Sequence, residues 1–553
     1  MKSRGAGPER KFFVELIKPS RYDDDGYVVQ WWRSWIPSNT LACLYALTLD
    51  AAARRVLGDD VEIVIHAYDE CNTVIPVRKI IRRIRRGGGH GLVCMVGVQS
   101  NQFPRAVDLA RPFRQAGIPV AIGGFHVSGC LAMLPEMFDD LTEAVGLGIT
   151  LFAGEAEGRL GQLFADTWEG RLRPVYNFLG DLPDLEGQPV PLLPKRVLRR
   201  SAGGIATIDT GRGCPFQCSF CTIVNVQGRE SRSRGPDDVE KLIRSYCDLG
   251  ITRFFITDDN FARNKRWEAI FDRLIDLRES HGIKVKFFIQ IDAQACKIPR
   301  FVEKASRAGC KWVFIGIESV NPDNLVAANK PHNQIAEYRK MLQAWHDHRI
   351  VTQIGYILGF PADTPESIER DIDVLKRELP VDLVKFACLV PLPGSADHRD
   401  LHLRGEWMDP DMNKYAGEHA VTRHPRMSKD QWEDIYHRSW ETFYAFDHLE
   451  TILRRAEPGG PSSNRLMTQF IQHRLSFAHE KIQPLEGGYL RRKARTCRRP
   501  SLPRENPLLF YPRRMWEAVR TYVPATMFAC RLASLRKRIK REAAATRTRS
   551  PRR

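Results

Sequence analysis

No run of about eighteen consecutive apolar residues occurs in the chain, so a membrane-spanning helix is not expected. The stretch from Met1 to Lys11 lacks the apolar centre of a secretory signal. Cysteine is present without a pairing pattern. Thirteen of them, an odd number scattered through 553 residues, argue against a disulfide framework. A reducing cytoplasm suits such thiols. No internal repeat is visible beyond a strand–helix rhythm. The composition is that of a globular protein, and the length allows two or three domains.

Charge imbalance is missing from most of the chain. Residues 491–553 hold 20 Lys and Arg against 3 acidic residues, which leaves 64 against 63 in all the rest. The formal net charge of +18 is therefore a nearly neutral body with a polycationic tail. Such a tail is attracted to acidic lipid or to nucleic acid. A solvated end with no partner is the alternative. Two tail segments, Tyr511–Val523 and Met527–Ile539, mix apolar residues and bases at helical intervals, the pattern of a helix lying on an anionic bilayer.

Residues 10–170 alternate apolar strands with helical stretches, which predicts an α/β domain with a parallel sheet. The expected strands are Phe12–Ile17, Val61–Ala67, Leu92–Val98, Pro119–Ile122 and Ile149–Ala153. Residues 171–199 are proline-rich and read as a linker. Residues 200–404 repeat strand then helix six times, with strands beginning near Ile205, Arg253, Lys286, Trp312, Thr352 and Asp382. That is the pattern of a partial (β/α)6 barrel, whose function sits at the carboxyl ends of its strands. Residues 405–480 read as a helical cap and residues 481–553 as a basic, partly disordered tail.

Cys214, Cys218 and Cys221 follow the first of these strands in the stretch Thr210–Thr222. The spacing C-x3-C-x2-C puts three thiolates on one tight loop. Iron–sulfur clusters normally take four cysteines, so three leave one iron for a small molecule. A structural zinc site would want four ligands at paired short spacings, and no fourth is evident nearby. Three unrelated buried thiols are the bland alternative.

The loop resembles the signature of the radical S-adenosylmethionine superfamily. That resemblance implies a [4Fe-4S] cluster on the three cysteines, chelation of S-adenosylmethionine by the open iron, and its cleavage to a 5'-deoxyadenosyl radical. Phe220 matches the family position beside the adenine. The next strand end, Asp258-Asp259-Asn260, occupies the place that holds the cofactor's amino group, although the usual Gly-Gly-Glu turn is missing. Gln290 and Asp292 share one face of the third strand. Glu318 and Ser319 resemble the end that reaches the ribose, and Gly355 and Gly359 the adenine strand. There Ala362 replaces the family's acid, with Asp363 and Thr364 offering polarity instead.

Placed before such a barrel, the first domain is similar to the flavodoxin-like, doubly wound module that binds cobalamin (B12). The resemblance implies contacts from Gln99, Ser100, Gly123, Gly124 and Gly154. Base-on versions carry D-x-H-x-x-G after the second strand. Here Cys71 stands at the histidine position and Val74 at the glycine. The domain therefore either binds cobalamin with no protein ligand below the cobalt or is a vestigial module that serves packing or substrate. Cys71 reads most simply as a buried thiol. His126 is either a ligand contact or a satisfied structural histidine. The cluster Tyr22–Tyr27 with Trp31 and Trp32 either lines a site mouth or is an exposed loop. The bases of Arg78–Arg86 read as the solvated face of a crossover helix, and Asp409–Tyr415 with His419 and His424 as the substrate cap.

The resemblance implies hydrogen abstraction from an unactivated carbon followed by cobalamin-dependent methyl transfer. A radical cyclase or oxidoreductase remains open, as does a redox sensor that binds nucleic acid or membrane. The expected partners are a small-molecule or lipid substrate, a flavodoxin or ferredoxin as reductant, and an anionic membrane surface met by the tail. Nucleic acid is not expected. The expected location is the cytoplasm, with the inner face of the membrane as the place of any peripheral attachment.

Overall fold

The computed structural model describes residues 10–549 other than Pro331 and Pro458. Most of the Met1–Lys11 stretch and the last four residues of the basic tail lie outside the described residues. The first domain is built on a six-stranded parallel sheet: β1 (Arg10–Lys18), β2 (Val61–Asp69), β3 (Gly91–Met95), β4 (Val120–Gly123), β5 (Thr150–Ala153) and β6 (Val175–Asn177). Their order across the sheet is β2-β1-β3-β4-β5-β6. This is the doubly wound order with one strand added at the edge. The added strand β6 falls inside the proline-rich segment expected to be a linker. It pairs with β5 through Leu151–Val175 and Phe152–Tyr176, contacts that the short run Val-Tyr-Asn does not announce.

Alternation along β1 sends Phe12, Val14 and Leu16 into one apolar core and Phe13 and Ile17 into another. The first of these cores does not stop at the domain. It continues through Leu41 and Leu47 of the helix Asn39–Ala53, through Val197, and into Ala206 and Ile208 of the second domain. That helix starts cleanly because Ser38 accepts from the Leu41 amide at 3.2 Å. Two domains separable by sequence rhythm thus share one buried interior.

The second domain carries six parallel strands in sequential order: β7 (Ile205–Ile208), β8 (Arg253–Ile256), β9 (Lys286–Asp292), β10 (Cys310–Glu318), β11 (Val351–Leu358) and β12 (Leu383–Cys388). Among the described residues β7 and β12 remain its edges, so the sheet is an open, partial barrel. Helices Lys429–Phe443, Phe446–Ala456 and Ser463–His473 follow. Trp432 of the first packs on the end of β11, where its indole donates to Leu358 O at 3.1 Å.

The chain then returns to its own beginning. Gly488–Arg491 pairs antiparallel with Trp31–Ser34. The buried Arg491 guanidinium donates to Val28 O, Gln30 O and Asp23 Oδ2 at 2.9, 3.1 and 2.8 Å. Asp24 pairs with His419 at 3.1 Å, Asp25 with Lys493 at 2.9 Å, and Tyr27 donates to Glu505 at 2.8 Å. In the acidic and aromatic cluster near the N-terminus, Tyr22, Tyr27 and Trp31 are therefore buried, while Trp32 stays exposed. The cluster is a latch for the first part of the basic tail.

Where partial disorder was expected, a single helix runs from Pro507 to Arg549. Its second half packs through Leu532, Leu535 and Ile539, and Arg538 meets Glu450 of the preceding helix pair at 3.2 Å. Its first half leaves Leu508, Met515, Trp516, Val519, Val523 and Met527 more than half exposed. The basic crossover helix, Val77–Arg86, also departs from expectation. Arg83 turns inward to the fully buried Glu15, donating from Nε to Oε1 at 3.0 Å.

Candidate functional site

The loop bearing the three cysteines leaves β7 at Ile208 and is fixed at its base. Gly211–Arg212 pairs with Arg232–Ser233 in a short antiparallel ribbon. Thr210 donates its amide and hydroxyl to Asp258 at 2.6 and 2.7 Å. The Gly213 amide donates to Asp259 at 3.0 Å. Gly213 itself has φ +92°, and a Cβ there would lie 2.3 Å from Glu230 O, so no other residue fits this turn. On its far side the loop is held by Ser219 N to Ala328 O at 3.2 Å and by Asp397 N to Ser219 O at 3.1 Å.

The three thiols are half-buried and share one field. Burial pushes Cys218 up to about 11, and the neighbouring Cys214 charge adds to this. Burial pushes Cys221 up to about 12, with both other cysteines adding to it, and raises Cys214 as well. Ionising all three together requires cationic charge among them. Three thiols on one loop are the donor set of an iron–sulfur cluster with one open iron.

The polar residues expected at the neighbouring strand ends divide into two groups. Asp258 is spent on the loop, because Thr210 and Asn264 occupy its carboxylate. Asn260 donates to Asp292 at 3.0 Å, and Asp292 also holds Arg263 at 2.7 Å. Glu318, at φ +68°, pairs with Lys330 at 2.6 Å. The Ser319 hydroxyl is fully buried and accepts from Asn321 N and the Asn324 side chain. Asp258, Asn260, Glu318 and Ser319 thus brace the loop and the strand ends through protein partners. Asp363 is likewise engaged by the amides of Gly359 and Phe360 at 2.9 and 3.0 Å. Gly359 answers to packing: at φ +97°, a Cβ there would lie 2.0 Å from the Trp432 ring. Gly355 leaves room for Phe314, whose ring a Cβ would meet at 2.8 Å.

The remaining residues keep capacity for a ligand. Phe220 and Gln290 are half-buried, and Gln290 makes a bond of 3.4 Å to Asp258 O. Asp259 accepts from Gly213 alone, and burial pushes its carboxyl up to about 7. A cation beside it would draw that value down again.

Asp259 lines a cavity of about 370 Å³ between the two domains. Gln99, Gly123, Gly124 and Gly154 line it from the strand ends of the first domain, and Asp209, Gly211 and Arg212 from the foot of the cysteine loop. Its floor, between sheet and helices, is apolar and includes Val96, Ala121, Phe152 and Phe164. The glycines are needed for backbone packing more than for a ligand. A Cβ on Gly124 would lie 2.2 Å from Val98 N, and one on Gly154 would lie 2.9 Å from the Phe178 carbonyl carbon. Ser100 is turned away, bonded to His126 Nδ1 at 3.1 Å. The other His126 nitrogen meets Asp140 at 2.9 Å, so this histidine is structural. Cys71 lies at 3.3 Å from Lys18 Nζ and does not reach the cavity. Among the described residues no histidine lines the cavity.

Sequence reasoning missed the charges that join the two domains at this cavity. Arg212 lies 2.8 Å from Asp209, 2.6 Å from Glu155 and 2.8 Å from Glu157. Burial would raise Asp209, yet Arg234 and Arg212 hold it down to about 2. The one available signal was position: Arg212 sits two residues before Cys214, and Glu155 directly follows Gly154. The segment expected as a substrate cap makes contacts within the chain at its named residues. Asn413 bonds the Tyr22 backbone, Tyr415 donates to Asp409 O, and His424 bonds Phe360 O.

Residues 208–375 match the model of the radical SAM superfamily. This stretch of the chain, within the second domain, is thereby a radical SAM domain. With the doubly wound domain in front of it, the chain has the fold of solved cobalamin-dependent radical SAM enzymes. The solved structure of the cobalamin-dependent S-adenosylmethionine radical enzyme OxsB with aqua-cobalamin bound has a TM-score of 0.52, covering 83% of this chain and 71% of that one at 16% identity. Bacteriochlorophyllide d C-8(2)-methyltransferase of Chlorobaculum tepidum is 28% identical over 60% of this chain and 73% of its own length. Hopanoid C-2 methylase of Rhodopseudomonas palustris is 25% identical over 60% of this chain and 61% of its own. Of that second relative the radical SAM chain spans less than two thirds.

Proposed function

We propose that this radical SAM enzyme is a cobalamin-dependent methyltransferase acting on an unactivated carbon of an apolar substrate. One observation carries the reading: a single cavity is lined from one side by the strand ends of the cobalamin-type domain and from the other by the foot of the cysteine loop. When bound, the cluster with S-adenosylmethionine supplies a carbon-centred radical, and cobalamin supplies a methyl carrier.

The residues would act as follows. Cys214, Cys218 and Cys221 would hold the cluster. Asp259, raised by burial and open to the cavity, would take the ammonium group of S-adenosylmethionine in a charge-assisted bond. Gln290 and Phe220 would flank the nucleoside. Gln99 and the apolar slot beneath Gly123, Gly124 and Gly154 would hold the corrinoid. Arg212 and its three carboxylates would set the distance between the halves of the site, since a packed ion network tolerates little displacement.

The relatives whose names include a bacteriochlorophyllide and a hopanoid support an apolar substrate. So does the exposed apolar face of the C-terminal helix, flanked by Arg513, Arg514 and Arg520, which suits an anionic membrane surface. Among the described residues no helix is long and apolar enough to cross a membrane. A flavodoxin or ferredoxin would supply electrons in the cytoplasm.

The test is corrinoid and iron content measured on one sample of anaerobically purified protein from cobalamin-fed cells. Corrinoid near equal to protein, together with iron, is expected. Iron without corrinoid would overturn the methyltransferase reading and leave methyl-free radical chemistry. Replacing any one cysteine by Ala is expected to abolish deoxyadenosine formation; turnover in a folded variant would sink the cluster assignment.

A further inference from the structure

A second cavity, of about 240 Å³, opens at the opposite end of the barrel, where the strands begin. Five cations reach it. Arg253 and Lys286 are the first residues of β8 and β9, Lys311 and Lys385 lie near the starts of β10 and β12, and Arg465 comes from the helix Ser463–His473. No Asp or Glu lines this cavity. Among the described residues none of the five has an ion-pair partner, in a protein where buried cations such as Arg21, Arg105 and Arg212 are paired. Burial lowers Lys311, and the nearby Arg278, Arg465 and Lys286 lower it further.

One wall is a ladder of parallel rings, Phe255 on Phe288 at 4.0 Å and Phe288 on Trp312 at 4.8 Å between centroids. Converging cations supply donors for an oxyanion with several oxygens, and the volume admits only a small molecule.

We propose that the N-terminal mouth of the barrel is a second binding site, taking a small phosphate-bearing molecule. The site lies outside the reaction cavity and shares no lining residue with it. Arg253 and Lys286 are exposed at the rim and would meet the ligand first. Lys311, Lys385 and Arg465 would hold the phosphate within.

The test titrates the full-length protein with sodium pyrophosphate by calorimetry at fixed ionic strength, beside the variants Arg253→Gln and Lys311→Gln. The exposed Arg253 can be changed without disturbing the fold, which keeps the test decisive if the Lys311 variant is unstable. Saturable binding is expected, weakened about tenfold or more in each variant. Deoxyadenosine production by both variants is expected to equal that of the parent. Absence of saturable binding at millimolar pyrophosphate, or unchanged binding in the variants, would overturn the site. Equal displacement of pyrophosphate by citrate would overturn the phosphate assignment.

Discussion

Replacing Arg212 by Met tests whether the ion network, and not apolar contact alone, fixes the two domains together. The guanidinium serves Asp209, Glu155 and Glu157, whose side chains are 3%, 7% and 3% exposed. Without it Glu155 retains Arg232, and Asp209 retains Arg234 at 3.5 Å. Glu157 has no other ion-pair partner among the described residues. Breaking a buried pair by removing one partner costs about 3–5 kcal/mol, because the remaining charge stays desolvated. The variant is expected to lose that much in urea unfolding followed by tryptophan fluorescence, with unchanged m. Adding Glu157→Gln removes the stranded charge and should restore about 1–3 kcal/mol. A loss below about 1 kcal/mol, or a double variant no more stable than the single one, would refute the reasoning.

Two further outcomes follow, one from the N-terminal cluster and one from the tail helix. Burial opposes protonation of His419, but Asp24 and Glu433 push it up to about 9. A histidine raised in this way adds stability that is complete below about 6.5 and lost as pH rises through about 9. His419→Gln should flatten the pH dependence of the melting temperature across that window, and an unaltered slope would contradict the latch. On the exposed helix face, Met515→Glu with Val519→Glu should reduce cosedimentation with phosphatidylglycerol vesicles by about tenfold or more. Equal cosedimentation would remove membrane attachment through this helix.

The residues that sequence determined are those whose meaning is local. Three cysteines within eight positions, after an apolar strand and beside Gly213, mark a ligand loop by their spacing alone. The apolar strands of both sheets were legible because buried parallel strands need near-continuous apolar runs, and the described β1–β5 and β7–β12 lie close to the expected positions. The short β6 was not legible, since its pairing with β5 and not its composition makes it a strand. Polar residues at strand ends were readable as positions but not as roles. Asp258, Asn260, Glu318 and Ser319 look like ligands until Thr210, Asp292, Lys330 and Asn324 are seen to occupy them. Asp23 and Arg491 are 468 residues apart, and nothing local links them; only the return of the chain makes the pair and turns a free polycation into a docked one. The Arg212 network and the unpaired cations at the barrel mouth have the same origin. Spacing sets which side chains a loop or strand presents, whereas partners from distant segments decide which of those side chains remain free to act.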